Sequence, residues 1–271
     1  ELQSQKNRNE KEIRMKKAVF FDIDGTLWNY QMQIPESTVL AIRKLRENGH
    51  YAFICSGRSR SNIQSPKLLG IGFDGVVASC GAHIDFHKET VYQVLLTETH
   101  ALSVLKEYHM PVVLEGPEYV YVNESDFLDD PYVIHLRKEL GEHLRNIPTD
   151  HSEIQINKMS SIAPTVDARQ FVKEMGEDFD VVIHGQGIIE INPAGISKAT
   201  GIRKVCEMLD IPHEDTFAFG DSANDLEMLA YVAHSIAMGN GTDKVKNTAE
   251  FVTRSVDEDG ILSALEHFGL L

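Results

Sequence analysis

The chain has 271 residues, with 26 basic against 41 acidic side chains and a formal charge of −15. Such a surface repels nucleic acid and anionic membranes, so neither is expected as a partner, and no apolar run approaches the roughly 18 residues of a membrane span. Hydrophobic residues make up 42% of the chain, which supports ordinary globular packing, and the length suits two domains better than one core.

In chain order, residues 1–14 are polar, mixed in charge and lack a signal-peptide core. They read as a disordered extension, native or left over from expression, with Met15 as a natural start. The apolar run 18–21 predicts a buried strand. Asp22 and Asp24 follow it two residues apart, which in extended chain puts both carboxylates on one side. Gly25 permits a sharp turn away. Two like charges so close are costly unless a cation sits between them or they act in chemistry. A D-x-D alone also occurs in metal-dependent glycosyltransferases and in surface turns.

A helix is expected over 37–48 and a strand over Tyr51–Cys55, followed by Ser56-Gly57-Arg58. A hydroxyl and a glycine N–H at a strand end, with a helix starting behind them, suit phosphate. Residues 70–75 match G-x-G-x-x-G, but a strand (75–79) follows where a dinucleotide site needs a helix. The stretch 83–186 alternates strand and helix: strands at 91–96, 112–122, 154–162 and 179–183, helices at 101–108, 132–144 and 166–175. Such an order predicts a sheet with helices on one face. His83 and His87 lie in an extended segment that separates them, so they are expected as surface histidines rather than metal ligands. The acidic run 126–130 lacks the glycine of a calcium loop.

Residues 188–191 are expected to return the chain to the first sheet. Gly195-Ile196-Ser197-Lys198 then leads into a helix through Met208. Phe217-Ala218-Phe219 is followed by Gly220-Asp221-Ser222-Ala223-Asn224-Asp225 and a helix over 226–231. All four clusters follow or border short apolar strands, and in a parallel α/β sheet such strand ends converge on one crevice. The three cysteines, Cys55, Cys80 and Cys206, lack metal-ligand spacing and read as reduced thiols of a cytoplasmic protein.

D-I-D-G-T-L, S-G-R, the isolated lysine and G-D-x-x-N-D, in that order, resemble the four motifs of the haloacid dehalogenase superfamily. The long insertion and the tail (237–240, 245–249, 257–261) resemble its Cof-type, C2-capped phosphatase branch. The likeness runs from about residue 15 to the C-terminus. Two departures stand out: Ser56 replaces a usual threonine, and Cys80-Gly81-Ala82 replaces Asn-Gly-Ala.

The resemblance implies an α/β fold: a Rossmann-like, doubly wound parallel-sheet core (15–82 and 187–271) with an inserted α+β cap (83–186). It implies that Asp22 is a nucleophile forming an aspartyl-phosphate, and that Asp24 is the acid and then the base. Ile23, Ser56, Gly57, Lys198 and Asn224 would hold the phosphoryl oxygens. Asp22, the Asp24 carbonyl and Asp221 would ligate Mg²⁺, with Asp225 supporting from behind. The implied activity is Mg²⁺-dependent hydrolysis of small phosphorylated metabolites, sugar phosphates first and nucleotide or cofactor phosphates second. A sugar phosphomutase or an idle metabolite-binding regulator are the alternatives. Lys158, in the insert, fits a substrate contact or a surface or hinge role.

Each group also has a plainer reading. Ser56 suits a helix N-cap, Lys198 a solvated lysine, Asp221 a turn, Asn224 or Asp225 a cap, and Arg58 an ion pair. Their joint order favours the chemistry for most of them.

Overall fold

The computed structural model describes residues 16–97, 99–127, 131–150, 154–162, 167–183 and 187–271. The expected extension 1–14, Met15, residues 128–130 of the acidic run and Val166 of a predicted helix lie outside the described residues. Among the described residues the strands are β1 (Ala18–Phe21), β2 (Tyr51–Cys55), β3 (Gly75–Ala78), β4 (His83–Phe86), β5 (Glu89–Gln93), β6 (Val112–Glu115) and β7 (Val120–Val122). They continue as β8 (Leu144–Asn146), β9 (Lys158–Ile162), β10 (Phe179–Ile183), β11 (Ile188–Pro193), β12 (Thr216–Gly220), β13 (His234–Ala237) and β14 (Phe251–Val252). Contacts divide the chain into two compact units, one of residues 16–54, 71–74 and 203–271, the other of 55–70 and 75–202.

In the first unit β14, β13, β12, β1 and β2 lie side by side in that order, all parallel. β1 and β12 are short, each carries two phenylalanines, and every residue of both is buried, as strands covered on two faces require. The register sets Phe21 beside Phe219 and Ile54, so Asp22 follows β1 at the level where β12 is about to end at Gly220. Phe21 stacks on Phe219 with ring centroids 4.9 Å apart, and Phe20 on Phe53 at 5.3 Å. Burying each such ring contributes roughly 1.5–3 kcal/mol.

The helix Glu36–Glu47 buries Thr38, Ala41, Ile42 and Leu45, the one-sided spacing expected of a helix lying on a core. Glu36 in its first turn and Lys44 and Arg46 in its last complement its dipole. Arg46 forks onto Asp74 at 3.0 and 2.7 Å, and Asp74 Oδ2 also accepts the Ala52 N–H at 2.9 Å. These bonds tie residues 71–74 into this unit.

In the second unit β3, β4 and β5 form an antiparallel meander. A six-stranded sheet runs β10-β11-β9-β6-β7-β8, antiparallel except for β7 with β8. Here the structure departs from three sequence expectations. First, helices cover both faces of this sheet. Neighbouring residues of β6 point opposite ways: Leu114 joins Ala101, Val104, Phe171 and Met175 from helices Thr99–Glu107 and Ala168–Met175. Val113 instead joins Val133, Leu136 and Leu140 of helix Pro131–Leu140. Second, β11 pairs with β10 and β9, inside this sheet rather than back in the first unit. Third, no helix starts directly behind Ser56-Gly57. A 3₁₀ turn at Arg60–Asn62 comes first, then a short helix Pro66–Leu69 capped by the Ser65 hydroxyl. Residues 58–62 carry no apolar spacing on which a longer helix could pack.

Among the described residues no helix is long and apolar enough to cross a membrane. All three cysteines are buried and none is in a disulfide.

Candidate active site

In the first unit Asp22 stands one residue past β1 and Asp221 one residue past β12. Asp22, Asp221 and Asp225 are all buried, and one carboxylate oxygen from each lies within 4.8 Å of the others. The parallel register brings the first two together. The Asp22 N–H donates to the Phe219 carbonyl at 3.1 Å, extending the ladder one step into the site. Asp225 comes back to the cluster through the 3₁₀ turn Ala223–Asp225. Its Oδ2 accepts the N–H groups of Asp221 and Ser222 at 2.9 and 3.0 Å. Expected behind the site, it is one of the three clustered acids.

The turn after Asp22 is built for close approach. The Ile23 carbonyl accepts N–H bonds from Thr26, Leu27 and Trp28. Gly25 has φ +79°, and a Cβ there would strike the Asp221 carboxylate. Only glycine satisfies both demands at low cost. Asn240 Nδ2 donates to the Gly25 carbonyl at 2.8 Å while its Oδ1 accepts the Val256 N–H. Asp24 is exposed, and the Trp28 indole donates to its Oδ1 at 3.0 Å. Asn224 is also exposed, its Oδ1 accepting the Ser222 hydroxyl at 2.7 Å.

Three buried carboxylates in this arrangement repel one another, and oxygen donors alone suit a hard divalent cation such as Mg²⁺. The carboxylates of Asp22, Asp221 and Asp225 therefore fit that ion.

The remaining predicted groups belong to the second unit. Ser56 is buried, its N–H bonded to the Val77 carbonyl at 2.9 Å and its hydroxyl oxygen accepting the Arg58 N–H at 3.2 Å. Gly57 is buried beside it. Arg58 is an ion-pair partner, 2.8 Å from Glu139 of helix Pro131–Leu140. Lys198, only 2% exposed, is the first residue of helix Lys198–Leu209, so it is not a solvated surface lysine. That helix starts on a reciprocal cap: the Ser197 hydroxyl accepts the Thr200 N–H while Thr200 Oγ1 accepts the Ser197 N–H. Gly81 lies so close that a Cβ on it would strike the Ser197 carbonyl.

Some partners were not visible in the sequence. Trp28 and Asn240 carry no chemistry-bearing pattern of their own, although Asn240 falls in the tail whose likeness is noted above. Lys158 is buried, its Nζ 3.1 Å from the Gly57 carbonyl and 3.0 Å from Glu190 Oε1. Burial alone would depress its ammonium, but Glu190 and Glu115 hold it well above the ordinary lysine range. Burial pushes the neighbouring Cys80 thiol up to about 11, so it stays protonated at neutral pH. His83 corrects another expectation: it is buried, not on the surface, with Nε2 2.7 Å from Asp85. Burial pushes the Asp85 carboxyl up, but bonds from His83, Arg60 and Thr90 outweigh it and hold the group far below the usual carboxylate range.

A separate cavity of about 510 Å³ in the second unit is walled by Tyr119, Tyr121, Arg145, Asn146 and Gln155. The Arg145 guanidinium lies 3.3 Å from the Tyr119 ring centre.

The haloacid dehalogenase-like hydrolase family model matches residues 19–265. YkrA of Bacillus subtilis is 34% identical over 266 residues, covering 94% of this chain and 98% of YkrA. The 5-amino-6-(5-phospho-D-ribitylamino)uracil phosphatase YitU of the same species is 27% identical, covering 93% and 97%. Both carry phosphatase names. The crystal structure of a hypothetical protein from Geobacillus kaustophilus superposes with a TM-score of 0.81 at 32% identity, covering 94% of this chain and all of that one. The chain belongs to the haloacid dehalogenase-like hydrolases, and it has their mixed α/β fold.

Proposed function

We propose that this hydrolase is a Mg²⁺-dependent phosphatase of small phosphorylated metabolites, working through an aspartyl-phosphate. The observation that carries the reading is the gathering of Asp22, Asp221 and Asp225 within 4.8 Å in a buried site. A bound Mg²⁺, held by Asp22, Asp221 and the Asp24 carbonyl, would supply charge neutralisation for the phosphoryl oxygens. Asp225, bonded to two backbone N–H groups, fixes the turn that carries Asp221.

In the first half-reaction an Asp22 oxygen bonds to phosphorus, the ester P–O bond breaks, and Asp24 gives its proton to the departing alcohol. In the second, Asp24 takes a proton from water, the new hydroxide attacks phosphorus, and the Asp22 carboxylate leaves with inorganic phosphate released. The Trp28 indole bond supports this role by aiming the exposed Asp24 carboxyl. Ile23, Ser56, Gly57, Asn224 and Lys198 are assigned to the phosphoryl oxygens. A loose transition state rewards such positioning more than covalent assistance. Core and cap are part of the proposal, the cap being residues 83–186 together with β11, which pairs with them.

Sugar phosphates are the first substrate class. Other small organophosphates, including nucleotide or cofactor phosphates, are the second. The buried, unbridged cysteines support a cytoplasmic setting. The test is phosphate release from a panel of sugar, nucleotide and cofactor phosphates with Mg²⁺, blanked with Asp22→Asn. Release that vanishes in the blank supports the phosphatase. Transfer between sugar positions without release would replace it by a mutase, and neither by a regulator.

A further inference from the structure

The segment 56–58 has all three of its carbonyls held from different places. The Ser56 carbonyl accepts the Cys80 N–H at 3.1 Å, and the Arg58 carbonyl accepts the Ser79 N–H at 2.8 Å. The carbonyl between them, that of Gly57, accepts the Lys158 ammonium at 3.1 Å. A side chain does here what backbone N–H groups do on either side.

Lys158 is the first residue of β9, a central strand of the six-stranded sheet, and is 2% exposed. Burying an ammonium is expensive unless it is paired. The sheet register supplies the pairing: Glu115 of β6 stands directly opposite Lys158, and Glu190 of β11 opposite Ser160, one diagonal step away. Nζ lies 3.0 Å from Glu190 Oε1 and 3.9 Å from Glu115 Oε1, and the Ser160 hydroxyl also donates to Glu115. Two glutamates therefore hold the ammonium charged and stationary, with a donor left for the Gly57 carbonyl.

The carbonyl of Gly57 and the N–H of Arg58 belong to one peptide group, and that N–H donates to the Ser56 hydroxyl oxygen at 3.2 Å. A strong donor on the carbonyl polarises the peptide and strengthens the N–H as a donor. With its oxygen accepting from Arg58, the Ser56 hydroxyl directs its own proton elsewhere. We propose that Lys158 is a positioning residue of the phosphate site: through the Gly57–Arg58 peptide it sets the Ser56 hydroxyl for the phosphoryl group. Two further bonds fasten the same loop to this sheet and its covering helix: Arg58 to Glu139, and Ser61, through its N–H and hydroxyl, to the Gly116 carbonyl.

The inference rests on the phosphatase reading, and the experiment separates the two. Hydrolysis of p-nitrophenyl phosphate with Mg²⁺ is measured for the native chain, Asp22→Asn, Lys158→Met, Lys158→Gln and the triple variant Lys158→Met/Glu115→Gln/Glu190→Gln. Lys158→Met alone strands two buried carboxylates and is expected to melt early. The triple variant removes that imbalance. Positioning predicts a triple variant that melts close to the native temperature, with kcat lowered by roughly tenfold or more and KM changed by less than about threefold. It also predicts faster amide exchange at Arg58, and a higher kcat in Lys158→Gln, which keeps an N–H donor, than in Lys158→Met. Native kcat in a folded triple variant overturns the inference and reduces Lys158 to charge balance. If the triple variant does not fold, equal kcat in the Gln and Met variants overturns it instead. A native chain no faster than Asp22→Asn overturns the phosphatase reading, and the inference with it.

Discussion

The two units each bury a cluster of charged side chains, and they handle the charge in opposite ways. In the first, Asp22, Asp221 and Asp225 place three groups of one sign within 4.8 Å. In the second, Lys158 stands between Glu115 and Glu190, so opposite signs alternate. An alternating cluster satisfies itself and holds a shape. Three carboxylates that close repel one another, which favours a cation among them.

The largest expected effect breaks the like-charged cluster at Asp22, the nucleophile of the proposed function. Asp22→Asn keeps the size of the side chain and relieves repulsion, so its circular dichroism matches the native chain while phosphate release falls by at least about 10⁴-fold. Appreciable turnover in the purified variant would remove Asp22 as nucleophile. Next, EDTA is expected to abolish release and Mg²⁺ to restore it. Mg²⁺ at about 100 times its Kd is also expected to stabilise the chain by roughly 2.7 kcal/mol in thermal melts. The alternating cluster needs no ion, so an equal gain in an Asp221→Asn variant would dissolve the contrast.

Lys198→Ala is expected to lose roughly 3 kcal/mol of transition-state stabilisation, about 150-fold in kcat/KM. Unchanged kinetics would return this lysine to a structural role. The smallest effect concerns stability in acid. The Asp85 carboxyl is held below its ordinary value of 3.8 when folded, so its contribution is present above pH 3.8 and fades as pH falls below it. The stability difference between the native chain and Asp85→Asn in urea titrations should therefore shrink below pH 3.8. A constant difference would mean that the His83 and Arg60 contacts do not select the ionised form.

The like-charged cluster was largely legible in the sequence, and the alternating one was not. Asp22 and Asp221 each follow an apolar run that could only be a buried strand, and the strand ends carry them to a shared edge. Lys158 follows no such rule. Read locally a lysine belongs in water, and its burial depends on Glu115 and Glu190, 43 and 32 residues away, arriving by strand register. His83 was misjudged for the same reason, because the bonds around Asp85 that keep it inside form only in the fold. The helix expected behind Ser56 failed differently: residues 58–62 bond among themselves only as a 3₁₀ turn, while Arg58 and Ser61 also reach out to Glu139 and to the Gly116 carbonyl.

The bond from Lys158 to Gly57 spans 101 residues of chain, and that has a consequence in time. Loop closure over such a distance must wait for the intervening strands to pair. The segment 56–58 is therefore completed late in folding, after the bulk of the secondary structure has formed. In refolding experiments phosphatase activity should return more slowly than the far-ultraviolet signal, and the two recovering together would contradict this order. On the proposed function, a chain emerging from synthesis would carry Asp22 early and remain inert until Lys158, and after it Lys198 and Asp221, are in place.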